Sequence, residues 1–333
     1  MWISSRALLR RWSVLALVAL LLAGCTSQIS GDARPYGDVA AASARLASAR
    51  AALGELRSLD YCTLLGGDGP GRTVDGDQLV RGMDFCATFG LSAGARVEVM
   101  VGPVHVRPKL PDHQLRALDQ LPPPLRVNRP YTKSDGSCEI LLAFPGKELL
   151  RFRARHVGDE RPPPTEQLCD LAESTLRHAV ERMGAGEVGH VTHGPKSLGL
   201  VDACSLLTKD ELAAVFYTAE AARPSPTGHH CQWVESDVLE FHKVDIYLDR
   251  EGILPAPDNR SVVKETIAGR ESYVLEEADD RNTYCSVWAA HKADEQPLVE
   301  AAKLVVTDGN NALGACAVAR RLAGLAWARL PAL

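Results

Sequence analysis

The chain has 333 residues, enough for two domains of ordinary size, with 46% apolar side chains but only 5% aromatic ones. Its 37 basic and 42 acidic residues leave a net charge of −5, which argues against nucleic acid or a charge-held anionic lipid surface as partner. Nine cysteines fit an oxidising compartment, where an even set of thiols pairs as disulfides.

Residues 1–24 read as an export signal. Arg6, Arg10 and Arg11 form a basic start, and Trp12 to Leu22 form an apolar run too short for the roughly 20 residues a spanning helix needs. Leu22-Ala23-Gly24-Cys25 then resembles the bacterial lipoprotein signal, in which the cysteine thiol receives a diacylglyceryl group and the chain is cut just before it. That resemblance makes Cys25 the lipidated first residue of the mature protein and places it on the outer face of a bacterial cell membrane. Loss of the signal leaves 34 basic against 42 acidic residues, a net charge of −8. Residues 25–37, small and polar, read as a flexible tether. Lysine is scarce beside arginine, 9 against 28, and alanine is abundant, a bias typical of high-GC bacteria and of actinobacteria among them.

An alanine-rich stretch from Val39 to Ser58 predicts one long helix. Tyr61-Cys62-Thr63-Leu64-Leu65 follows, then a glycine-rich run, Gly66 to Gly71, and Phe85-Cys86. Val97 to Val99, Val104 to Val106 and Ser137 to Leu141 predict strands, and Leu168-Cys169 opens a helix reaching about Arg182. Gly184 to Gly199, rich in Gly and His, reads as a linker. Beyond it, Thr208 and Glu211 have capping-box spacing, predicting a helix to about Thr218. His230-Cys231-Gln232-Trp233 comes next. Phe241 to Leu248, Ser272 to Leu275 and Thr283 to Ala290 predict strands, with Val244, Ile246 and Leu248 on one face. Leu298 to Val306 fits helix or strand, and Asn311 to Ala328 predicts a last helix.

The order repeats. Cys62, Cys86, Cys138 and Cys169 are separated by 24, 52 and 31 residues, and Cys204, Cys231, Cys285 and Cys316 by 27, 54 and 31. The fold class expected is α+β, as two tandem disulfide-bonded domains, each a small antiparallel sheet packed by an N-terminal and a C-terminal helix. Their bounds are 38–183, which includes the extra N-terminal helix, and 201–333, joined by 184–200. The second copy, opening Asp202-x-Cys204-Ser205-Leu206-Leu207-Thr208-x-x-Glu211-Leu212, with Cys231-x-Trp233, a strand Cys285 and a helix-opening Cys316, is similar to the actinobacterial lipoprotein family DUF3558. It also resembles extracellular sensor domains of mycobacterial serine/threonine kinases. The likeness covers Val201 to Leu330 well and Leu59 to Met183 in outline. The first copy lacks the tryptophan and has glycines where the capped helix belongs. The resemblance implies fold and location, and it brings no catalytic residues.

Four oxidised cysteines per domain allow three pairings each. Chain reversal favours sequential bridges, Cys62–Cys86, Cys138–Cys169, Cys204–Cys231 and Cys285–Cys316, because the last helix starts near the origin of the strand that carries the earlier cysteine. The kinase sensors, by resemblance, also use local bridges. The rival scheme joins the two helix-opening cysteines and the two strand cysteines.

Candidate chemistry is sparse. No ligand pair stands at zinc spacing, and no cofactor or metal motif is present. Gly90-Leu91-Ser92-Ala93-Gly94 matches the nucleophile-elbow pattern, but that motif needs a helix after Ser92, where a strand is predicted, so a hairpin turn is the simpler reading. His190 and His193 read as solvated linker residues, and His229-His230 lacks a third metal ligand. Glu276-Glu277 and Asp279-Asp280 read as a solvated hairpin, and Asn259-Arg260-Ser261 is a sequon with little meaning in a bacterium. Trp233 and Trp288, each near a strand cysteine, read as packing against a disulfide in the core, with the wall of an apolar ligand pocket as the functional alternative. The expectation is a monomeric, non-enzymatic envelope protein binding an unidentified ligand or partner. The alternative is a regulatory subunit of an envelope enzyme, transporter or kinase acting through a flat surface. A hydrolase using Ser92 is the remote third.

Overall fold

Alternating apolar residues build two antiparallel sheets, each closed on one face by a helix. The computed structural model describes residues 39–65, 79–106, 115, 118, 121–122, 125–128, 136–213, 222–235, 242–250, 262–279, 282–291, 299–309 and 314–332. The residues read as an export signal and a tether, with Cys25, and Gly66–Gly71, the end of the helix expected to reach Thr218, the Asn259 sequon, Asp280 and Asn311 lie outside the described residues. Among the described residues, no helix is long and apolar enough to cross a membrane.

The first sheet contains β1 (Leu79–Arg81), β2 (Cys86–Ser92), β3 (Ala95–Val106), β4 (Arg126–Asn128), β5 (Ser137–Ala143) and β6 (Glu148–His156), in the order β1-β2-β3-β6-β5-β4. The second contains β7 (Arg223–Pro224), β8 (His230–Val234), β9 (His242–Arg250), β10 (Val262–Ile267), β11 (Arg270–Ala278), β12 (Asn282–His291) and β13 (Glu300–Gly309). Read from β7, its order is β7-β8-β9-β13-β12-β11-β10. The two orders coincide strand for strand, with β10 as one extra edge strand. In both, the long third strand pairs with the last strand: β3 with β6, and β9 with β13.

The helix Thr165–Ala185 covers the first sheet and Ala315–Trp327 covers the second. The disulfides are sequential: Cys62–Cys86, Cys138–Cys169, Cys204–Cys231 and Cys285–Cys316. In each half one bridge ties the opening turn to the second strand, and the other ties a central strand to the covering helix.

Of Leu298 to Val306, open between helix and strand in the sequence, Glu300 to Val306 lie in β13, where Ala302, Leu304 and Val306 face the core; Leu298 lies outside the described residues. Thr208 and Glu211 form the expected capping box: the Thr208 amide donates to Glu211 at 2.8 Å, and the Glu211 amide to Thr208 Oγ1 at 3.3 Å.

The single helix expected over Val39–Ser58 is broken into Val39–Arg45, Ala49–Leu53 and a 3₁₀ turn, Leu56–Ser58. Ser48 caps a fresh start by accepting from the Ala51 amide, and Gly54 ends that piece. Alanine content sets helix propensity; it does not override an internal cap and stop. Val97–Val99 and Val104–Val106 are parts of one strand, β3, whose register shifts between Val101 and Val104.

Residues 184–200 are not a loose connection. The Asp60 amide donates to the Gly189 carbonyl and the Val191 amide to the Ser58 carbonyl, while Leu198 is fully buried in the core of the second half. Met83 of the first half also enters that core.

Candidate binding surface

Strand alternation decides which side chains leave the core. On β12, Cys285, Val287 and Ala289 join the core under the last helix, so Trp288 points to the opposite face. The expectation that Trp288 packs against the Cys285 disulfide is therefore corrected, since three residues along a strand change sides. Trp233 stands two residues from Cys231, shares its face and lies in the core. Neither tryptophan lines the pocket beside His193 or the one on the helix Thr165–Ala185.

The register assembles one row across this outer face. Lys264 pairs with Tyr273, Tyr273 with Trp288, Trp288 with Lys303, Lys303 with Tyr247, and Tyr247 with His230. Six strands thus contribute one side chain each, two lysines among four aromatic rings. Lys303 Nζ lies 4.7 Å from the centre of the Trp288 ring and Lys264 Nζ 5.7 Å from that of Tyr273, both within cation–π range. The His230 ring stacks on Tyr247 at 4.3 Å with a 5° interplanar angle.

The row is held from beneath. Asp245, buried on the same face, accepts from His230 Nε2 at 2.9 Å and Gln232 Nε2 at 3.0 Å, with Lys243 Nζ at 3.5 Å. Burial and this carboxylate raise the Tyr247 phenol above its ordinary pKa, so it remains a neutral hydroxyl. Trp288 is 6% exposed beneath its neighbours and Tyr247 is 38% exposed, making Tyr247 the outermost ring of the row.

A second polar constellation joins the halves. His229, whose side chain is fully buried, places Nδ1 2.8 Å from Asp84 Oδ1 and Nε2 3.2 Å from the Gly199 carbonyl. The other Asp84 oxygen accepts from Thr227 Oγ1 at 3.0 Å. Gly102 makes this position possible. At φ 100° it passes so close that a Cβ would stand 2.2 Å from the Asp84 carbonyl. Arg57 crosses from the first half, donating Nε to the Thr227 carbonyl at 3.2 Å and Nη1 to the Leu200 carbonyl at 3.3 Å. Gly228, at φ 79°, admits the Arg57 guanidinium where a Cβ would lie 2.4 Å from Nη2. The Met83 amide donates to Asp249 at 2.7 Å.

His193 is likewise not a solvated linker residue. It is half-buried, its Nε2 3.3 Å from the Arg57 carbonyl and its Nδ1 3.3 Å from Arg250 Nη2. Beside it, a pocket of about 20 Å³, room for roughly one water, is lined by Arg57, Asp60, Arg81, Met83 and Arg250 among others. His190 is exposed and meets Ser58 Oγ at 3.1 Å. Reasoning from local sequence missed Asp84 and Arg57 because their partners lie 145 and 170 residues away.

Ser92 ends β2 and pairs with Ala95 across a two-residue turn in which Ala93 and Gly94 both have positive φ. The residue after the turn begins a strand, so the Gly-x-Ser-x-Gly pattern forms a hairpin here and supplies no helix N-terminus for an oxyanion. Asp279 closes the β11–β12 hairpin, accepting from the Asn282 amide and the Tyr284 hydroxyl. Among the described residues, no three His, Cys, Asp or Glu side chains converge as a metal site requires.

A disulfide-stapled antiparallel sheet under one helix, present in both halves, defines the class of fold. A family model described as a protein of unknown function, DUF3558, matches residues 187–329, the second sheet with its helix. No curated protein and no solved structure matches the chain.

Proposed function

We propose that this chain is a non-enzymatic binding protein of the bacterial cell envelope, held at Cys25 to the outer face of the cell membrane, and that it engages a partner through the outer face of its second sheet. The observation that carries this reading is the Lys264–Tyr273–Trp288–Lys303–Tyr247–His230 row. The exposed Tyr247 and Lys264, backed by the largely covered Tyr273 and Trp288 rings and a buried carboxylate, suit contact with another macromolecule. The pocket form of the reading finds less support, because Trp233 is taken up by the core. An accessory subunit working through this flat face is the form favoured here.

The tandem origin belongs to the same proposal. Matching strand order, matching disulfide placement and loop separations of 24 and 31 against 27 and 31 residues support two diverged copies of one unit. The kinase-sensor likeness and the arginine-over-lysine bias are its further supports, the latter for an actinobacterial source.

The test is native mass spectrometry of the protein extracted from its own host in mild detergent, comparing wild type with Lys303→Glu. A bound species that is present in the first and lost in the second supports the reading. A species retained by the variant places the binding elsewhere.

A further inference from the structure

The seam between the halves contains two imidazoles with opposite requirements. His229 faces oxygen acceptors with both nitrogens, the Asp84 carboxylate and the Gly199 carbonyl, an arrangement that two N–H donors satisfy. His193, 6.2 Å away and edge-on to it, faces an acceptor with only one nitrogen. Its Nε2 meets the Arg57 carbonyl, whereas its Nδ1 meets Arg250 Nη2, a group that can only donate. Ser197 Oγ also approaches Nδ1, at 3.4 Å; its own proton goes to Glu300 Oε1 at 2.5 Å, so toward Nδ1 it offers only a lone pair, at the longer of the two distances. Against Arg250, the closer neighbour, Nδ1 has to accept, which favours a neutral His193 with its proton on Nε2.

We propose that His193 is an acid-sensitive latch: adding a proton to Nδ1 drives this ring from Arg250 and loosens the seam that joins the two halves. A protonated Nδ1 would point its N–H at the N–H of a guanidinium. It would also put a third cation beside Arg57 and Arg250, both of which line the same pocket. The latch is central to the seam, since the same Arg57 whose carbonyl accepts from His193 clamps Thr227 and Leu200 across it.

The surrounding charges come from every element that packs here. Glu300 of β13 favours the proton on His193, while Arg250 of β9 and His229 oppose it. Asp84 is engaged by His229 and Thr227, and Asp249 by the Met83 and Arg250 amides. Asp60 and Arg81 form their own ion pair at 3.5 Å. Burial, the largest effect, pushes the His193 imidazole below its ordinary value of 6.5, in agreement with the hydrogen-bond geometry. A base with a depressed folded-state pKa contributes stability that is complete above 6.5 and is lost as pH falls toward the folded value.

Amide hydrogen exchange of the intact oxidised protein tests the latch, with each rate divided by the intrinsic rate at its pH. The Asp60, Met83 and Val191 amides report on the seam, because each donates to a seam partner. Phe152 and Ile246, fully buried in the two sheets, serve as references. Seam protection should fall severalfold, and by no more than about tenfold for a single imidazole, between pH 7.5 and 5.5 while the references hold, and His193→Gln, which cannot take up the proton, should abolish the fall. An undiminished fall in His193→Gln, or no fall in wild type, would overturn the proposal. Should the variant fail to fold, the His193 ring resonance in wild type decides the matter. Its titration midpoint must mark the pH at which the loss of seam protection levels off, and titration with protection unchanged refutes the latch.

Discussion

His229 Nδ1 lies 2.8 Å from Asp84 Oδ1, and through this contact a fully buried imidazole of the second half is held by a carboxylate of the first. The partners are 145 residues apart in the chain. Removing Asp84, itself 18% exposed, leaves Nδ1 of the fully buried His229 without its partner. Asp84→Ala should therefore destabilise the fold by about 3 kcal/mol, in the range for breaking a buried pair. Chemical denaturation against Glu277→Ala, a substitution at an exposed position of β11, checks the size of the effect.

Arg270 is a buried cation whose partners are carbonyls rather than carboxylates. Its guanidinium donates to the carbonyls of Trp327, Leu330 and Pro331 at the end of the last helix, and to His291 Nδ1 at 3.1 Å. The helix terminus supplies the negative end that this cation needs. Arg270→Ala should cost on the order of 3 kcal/mol, because several buried carbonyls lose their donor. Circular dichroism melting should show the loss, and Arg270→Lys, with a single donor head, should recover only part of it.

Much of the architecture was legible because it rests on local signals. The Thr208/Glu211 box, the alternation of Val244, Ile246 and Leu248, and the cysteine spacing each act over a few residues or recur at a fixed interval. The break at Ser48 and Gly54 was equally local, but alanine composition obscured it. Trp288 could have been placed by parity alone, since it is three residues from Cys285. The seam was not legible. Arg57, Asp84, His193 and His229 acquire their roles only when separate segments meet, and nothing in the neighbourhood of Asp84 marks it as the partner of a distant histidine.

The Glu211–Arg329 pair gives a pH prediction with a defined sign. Two hydrogen bonds, at 2.6 and 2.8 Å, lower the Glu211 pKa from 4.5 to about 2, with Arg329 as the largest cause. A depressed carboxylate pKa contributes stability that is complete above 4.5 and is lost as pH falls toward 2. The pair lies near the surface, so its contribution is about 1 kcal/mol. Glu211→Gln should lower the melting temperature at pH 7 and converge with wild type near pH 2. Parallel melting curves across that range would contradict the assignment.

The Cys285–Cys316 bridge spans 31 residues and ties β12 to the helix that covers the second sheet. Closing a loop of that size restricts the unfolded chain by about 3 kcal/mol. Replacing both cysteines by alanine should lower the urea midpoint accordingly. The Cys138–Cys169 bridge, also spanning 31 residues, should show a matching loss if the two halves are built alike.

The outward row on the second sheet is tested most directly by photo-crosslinking in intact cells. A benzophenone amino acid would replace Tyr247, the exposed ring of the row, or Leu325, an exposed position on the helix covering the opposite face. A discrete adduct from position 247, absent from 325 and abolished by Lys303→Glu, is the predicted result. Equal adducts from both positions, or none from 247, would contradict the view that this protein works by presenting that face to a partner.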